Sequence, residues 1–213
     1  MAPSSRNLLV WLHTVTSVGW MSQALALLAL TAHSMLTGDR TGYEMAHLLD
    51  THVLLHLANA AILTGIMLAA MTRWGFFRYW WVLTKFAITM TQLYAAIFLL
   101  SPSLTALAEG RRATDPALLA ATALMASAIA FQAWLSVAKP WKRTPWAEAR
   151  FDVPPPPGWA TAVTVLALVL DYLLAEVVFG HAAPLFTALT AVGYPIWRGF
   201  RLAGRTSGRT AGR

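Results

Sequence analysis

The chain has 213 residues, 57% of them hydrophobic and 12% charged, with a formal net charge of +7. A soluble domain carries about 25% charged residues, so a water-facing globule is excluded and most of the surface must meet lipid. No cysteine is present, which removes disulfides, thiolate metal sites and cysteine nucleophiles and leaves His, Met and carboxylates as ligands for any metal or haem.

The pI near 10.4 could suggest nucleic acid. In so apolar a chain it reads instead as positive-inside loops and attraction to anionic lipid headgroups, with no nucleic-acid partner. The expected fold is all-α, a polytopic transmembrane helix bundle of about six spans. It forms one domain over residues 1–200, followed by a basic, disordered cytoplasmic tail over 201–213.

Gaps between ionisable residues mark the spans in chain order. The first runs about Leu8 to Met35, inside the stretch between Arg6 and Asp39 that holds no Asp, Glu, Lys or Arg. It is too long for a cleaved leader and is read as an uncleaved span. The second runs about Thr51 to Thr72. The third runs about Tyr79 to Leu100, ending before SPSLT. The fourth, about Pro116 to Ala138, is rich in Ala and Ser, which allows close helix approach. A cytoplasmic loop follows, with Trp141, Trp146 and Trp159 at headgroup level and a polyproline II spacer over Pro154 to Pro157. The fifth span runs about Trp159 to Phe179. A shorter sixth, about Ala182 to Trp197, is bounded by Pro184 and Pro195 and could instead be a re-entrant half-helix.

Basic residues decide the number of spans. With six, 13 of the 16 Lys and Arg fall on the amino-terminal side, against Arg40, Arg111 and Arg112 on the other. With five, the split is 8 to 8. The asymmetric count favours six spans with both termini cytoplasmic, in a bacterial-type cytoplasmic membrane.

This topology gathers five of the six histidines toward the outer face. His33 ends the first span, His47 lies in the outer loop, His52 and His56 open the second span, and His181 sits in the turn FGHAAP. His52 and His56 stand at i, i+4 on one helix face, with Asn59 continuing the stripe. Such a pair can chelate a transition metal, copper first among them, if His33, His181 or Glu176 completes the shell. His47 points roughly 140° away from His52 at about 100° per residue, and it and Glu44 are weaker candidates. A bis-His haem b would instead use His56 with His33 or His181. The bland alternative is interfacial imidazoles that only bind water.

Asp171 falls near the middle of the fifth span, where an unpaired charge costs roughly 3 kcal/mol or more. Lys85 in the third span is the obvious partner, and Lys85, Thr89 and Gln92 form a polar stripe at i, i+4, i+7. The structural alternative is a packing ion pair, or a Lys85 that snorkels to the headgroups. The functional alternative is an intramembrane polar path through Lys85, Gln92 and Asp171, continued outward by Glu176.

Two segments carry a resemblance. TRWGFFRYWWVLTKFAIT resembles the turn into a span in the copper-resistance D (CopD-like) family, and WLHTVTSVGW resembles the Leu-His…Gly opening of those proteins and of related small bacterial membrane proteins. The similarity covers about half the chain, over spans one to three, and this chain is shorter than typical members. The resemblance implies copper handling at the inner membrane, with Lys85 and His13 as the family-pattern residues.

Three functions therefore stand. One is an outward-facing histidine site that binds or transports a transition metal. The second is a b-type haem protein passing electrons to a membrane carrier. The third is a small structural or regulatory subunit without ligand. No phosphate-cradling loop, Ser/His/Asp grouping or H-E-x-x-H appears, which argues against a hydrolase or an ATP-driven pump.

Overall fold

In a computed structural model the described residues are 3–147, 156–181 and 183–210, with side chains described from 6 to 202 within them. The expected spacer over Pro154 to Pro157 lies partly outside this range. Among the described residues five helices are long and apolar enough to cross a membrane: Arg6–Thr37, Thr41–Met71, Trp80–Ala108, Pro116–Ala138 and Trp159–Phe179. Among the described residues no strand ladder occurs, only an isolated bridge between Tyr79 and Arg143.

The first helix, α1 (Pro3–Thr37), packs against α3 (Leu55–Met71) and α6 (Pro116–Ala138). The second span is longer than the apolar run predicts. It starts with α2 (Thr41–Leu49), passes through a wide π-type turn at Asp50–Leu54 and continues as α3. Tyr43 and Ala46 explain the extension, because both are buried among Leu27, Leu104, Leu107 and Leu118 in a small core at that end. Apolar contacts on a moderately polar segment thus carry the helix beyond the hydropathy boundary.

The third span also outruns its predicted end. It comprises α4 (Trp80–Ala95), a π-type turn at Ala96–Leu100 and α5 (Ser101–Ala108). Pro102 has no N–H to give to the preceding turn and its ring crowds that turn's carbonyl. The wide turn just before it accommodates the proline without ending the helix. Of the five spans this one is the least buried.

The last two helices are α7 (Trp159–Leu173), extended by a π-type turn at Leu174–Phe179, and α8 (Leu185–Thr210). Gly180, at φ +64°, ends α7 in the left-handed conformation that glycine adopts at no steric cost. The chain then doubles back as α8, which is not among the five long apolar helices. Trp159 meets Tyr194 and Trp197 with ring centroids 5.8 and 5.2 Å apart, which fixes the antiparallel register of the pair.

The bundle has two distinct ends. Arg6, Arg73, Arg78, Lys139, Lys142 and Arg143 lie at the one we call the basic end. There the loop before α4 and the loop after α6 join: Thr144 N donates to Arg78 O at 3.1 Å and Trp146 Nε1 to Phe77 O at 2.8 Å. Arg73 and Lys139 both lie over the Trp74 ring. Asp39, Glu109 and Gly180 mark the opposite end.

Candidate functional site

The stripe expected on the third span is present, and its partner is α6. Lys85 Nζ donates to Ser136 Oγ at 2.6 Å, and Ser136 Oγ to Gln132 O at 2.9 Å. Thr89 Oγ1 donates to Gln132 Oε1 at 2.9 Å, Gln132 Nε2 to Gln92 Oε1 at 2.5 Å, and Gln92 Nε2 to Met125 O at 3.2 Å. In lipid, apolar surface gives little drive for helices to associate, so interhelical hydrogen bonds and close packing hold them together. The poorly buried α4 is tied to α6 in this way.

Two cavities flank this ladder. The nearer to the basic end has a volume of about 470 Å³ and lies between α1, α3, α4 and α6. Its polar lining includes His13, Lys85, Thr89, Gln132 and Ser136, set among Trp20, Trp74, Phe76, Trp81 and Phe86. The other, about 310 Å³, opens in the opposite half and is lined by His47, Asp50, Asn59, Gln92, Ser101 and Thr122. Trp20 and Ile62 line both. Gln132 lines the first and Gln92 the second, so their amide–amide hydrogen bond stands on the boundary.

His13 is fixed in the first cavity by α3. Its Nδ1 lies 3.0 Å from Ala61 O and 3.1 Å from Thr64 Oγ1. A carbonyl can only accept, so Nδ1 carries the proton and Nε2 is the ring's remaining polar atom. Gly65 makes room for the ring, since a Cβ there would stand 3.0 Å from His13 Cε1.

Residues of the second cavity were hidden from the sequence by the short boundary given to the second span. His47, Asp50, Thr51, Leu54, Leu55 and Ala58 all line it, and their spacing of three and four marks one face of a continuous helix. Ser101 Oγ donates to Asp50 Oδ2 at 2.6 Å, joining the second and third spans at their wide turns.

Asp171 takes a different role from the one expected. Its Oδ1 accepts the N–H of Phe186 at 2.9 Å and its Oδ2 that of Thr187 at 2.7 Å. Only 6% exposed, it caps the N-terminus of α8 from the neighbouring helix. Orphan N–H groups of a first turn and the positive end of the helix dipole both suit a carboxylate there. Asp171 and Lys85 therefore do not pair, and Lys85 forms no ion pair with any described carboxylate.

His52 and His56 face α7. His56 Nε2 lies 3.7 Å and His52 Nδ1 4.0 Å from the same oxygen, Glu176 Oε1, and the His56 ring meets Tyr172 edge-on at 5.1 Å. The His52 and Glu176 side chains are 59% and 40% exposed, so this cluster lies on the flank of the bundle. His33 is exposed on α1 and His181 stacks on Phe179 at 5.8 Å. Among the described residues no group of three or more His, Asp or Glu is arranged to hold a metal ion. Of the expected path, Lys85 and Gln92 share the ladder, whereas Asp171 caps α8 and Glu176 joins the flank histidines.

No protein-family model, curated protein or solved structure matches the chain. Its function is thus argued from its own geometry.

Proposed function

We propose that the chain is a multi-pass membrane protein that takes a small ligand into its bundle and passes it between two half-cavities. The observation that carries this reading is the pair of cavities meeting at the Gln92–Gln132 hydrogen bond. A bundle built only to pack would fill that space, because interiors pack at crystal-like density. Volumes of about 310 and 470 Å³, lined by apolar groups with a few convergent polar ones, suit small-molecule sites. Separating the two amides and turning Trp20 would join the cavities.

Both termini are assigned to the cytoplasm, because basic residues concentrate at one end of the bundle. The basic end would then meet anionic headgroups of a bacterial-type cytoplasmic membrane. In this topology α8 is a partial span. From Leu185 to Arg198 it rises only about 20 Å at 1.5 Å per residue, short of a hydrocarbon core of about 30 Å.

The lack of cysteine allows a direct test in proteoliposomes. Thr89→Cys, in the first cavity, should react with a membrane-impermeant thiol reagent from the basic side. Thr122→Cys, in the second, should react from the other. If neither reacts from either side, the cavities are closed and the reading fails.

A second reading, metal binding at the outer flank, is favoured by one observation: His52 and His56 turn to the same Glu176 oxygen. Ligands sharing a tetrahedral ion at 2.0–2.1 Å stand about 3.4 Å apart, so a small closure of these three would fit copper or zinc. Haem b is the alternative for the same His56, with His33 or His181 as the second imidazole, and absorption spectroscopy separates it from copper.

A further inference from the structure

We infer that the cavity near the basic end holds a single-chain amphiphile with a monoanionic head, a long-chain carboxylate, with Lys85 as its counter-ion. This inference rests on the ligand-cavity reading above and names the ligand's class.

Charge complementarity carries it. Lys85 and Arg6 line the cavity, and among the described residues no Asp or Glu lines it. Lys85 stands five residues into α4, roughly 8 Å along the axis from its first residue at 1.5 Å per residue. A cation in that position needs an anion, water or backbone oxygen to offset its lost hydration. Its hydrogen-bond partner is one neutral hydroxyl, Ser136 Oγ. A carboxylate placed against Nζ would supply the missing charge and accept from the ammonium protons that Ser136 leaves free.

The donor set selects the head. A phosphate dianion is best held by several converging cations or by an arginine fork, whereas the group bonded to Lys85 Nζ is the Ser136 hydroxyl and the other cation on the lining, Arg6, stands on α1 at the basic end. The rest of the lining selects the tail. Trp20, Trp74, Phe76, Trp81 and Phe86 offer an aromatic wall with no polar demand beyond their indole N–H groups. Exposed Val10, Val18 and Val137 also line the cavity, so its apolar wall is continuous with the outer surface of the bundle. The second cavity instead presents Asp50, which would repel the same head.

Native mass spectrometry of the full chain with palmitate, and separately with hexadecanol, tests this. Palmitate should bind one to one, and at least tenfold more weakly to Lys85→Gln, while Lys85→Arg retains it and hexadecanol distinguishes none of the three. Equal binding of palmitate to wild type and Lys85→Gln, or of palmitate and hexadecanol to wild type, would overturn the inference. If Lys85→Gln does not fold, protection decides: palmitate should slow labelling of Thr89→Cys and leave Thr122→Cys unchanged. Absence of protection overturns the inference, while continued labelling of both positions leaves the two-cavity reading standing.

Discussion

The carboxylate of Asp171 on α7 receives the backbone N–H of Thr187 on α8 at 2.7 Å and that of Phe186 at 2.9 Å. Asp171 lies eight residues before the end of the fifth span, roughly 12 Å along its axis. Helix α8 thus begins at depth, where its first N–H groups would otherwise lack water. Removing the cap with Asp171→Ala should cost about 1–3 kcal/mol. Asp171→Asn retains one acceptor oxygen and should cost less. Thermal unfolding in detergent checks the order, and protease cleavage between α7 and α8 should rise in the same sequence. Equal stability of all three would remove the cap from the account of α8.

The Gln92–Gln132 hydrogen bond joins α4 to α6 and separates the two cavities. Gln132→Leu also deprives Thr89 of its acceptor, so it should destabilise more than Gln92→Leu. A double-mutant cycle should give a coupling of about 0.6–2 kcal/mol, the range seen for interhelical hydrogen bonds in membranes. In proteoliposomes, Gln92→Ala should also make Thr122→Cys reactive from the basic side. A coupling near zero with unchanged sidedness would mean the amides neither hold the helices nor divide the space.

Much of this architecture is legible in the order of residues, and for identifiable reasons. Long runs poor in charge mark the five spans, because a charge is costly in hydrocarbon and most so near its centre, whereas the run expected as a sixth span falls in α8, outside those five. The i, i+4, i+7 stripe of Lys85, Thr89 and Gln92 also marks the inward face of the third span. Its partner is not legible. Gln132 and Ser136 sit in an Ala-rich span whose polar residues read as packing filler, and nothing in one sequence says which helix lies across from them. His47 and Asp50 escape because hydropathy ends the second span at Thr51, whereas Tyr43 and Ala46 extend it to Thr41 through tertiary burial. The partner of Asp171 is the least legible of all, since backbone N–H groups carry no side-chain signature.

Asp39 offers a pH test outside the spans. The backbone N–H and then the hydroxyl of Thr41 hold its carboxyl below the usual carboxylate range, with His33 adding a smaller attraction. A depressed folded-state value means that the contribution is complete above the unfolded value near 3.9 and is lost as pH falls through the folded one. The Thr41 amide resonance should therefore titrate with a midpoint below that of an unstructured aspartate. Asp39→Asn should remove the titration while the turn persists. A midpoint at or above the ordinary value would contradict this geometry.

His52, His56 and Glu176 decide the second functional reading. Two imidazoles at i, i+4 already share a face, so metal binding requires only that Glu176 or a solvent ligand close the shell. Copper(II) added to the purified protein should bind near one to one. His56→Ala should weaken it about 100-fold, and Glu176→Gln about 10-fold through loss of an oxygen ligand or its orienting effect. On this reading His33→Ala and His181→Ala should leave it unchanged, because among the described residues only Glu176 lies within 4.0 Å of both imidazoles of the pair. The same samples carry the haem test, in which a Soret band lost in His56→Ala would replace copper with haem at this position. Colourless protein whose copper uptake is indifferent to His52 and His56 would remove both readings, leaving the imidazoles as water-facing residues of the second span.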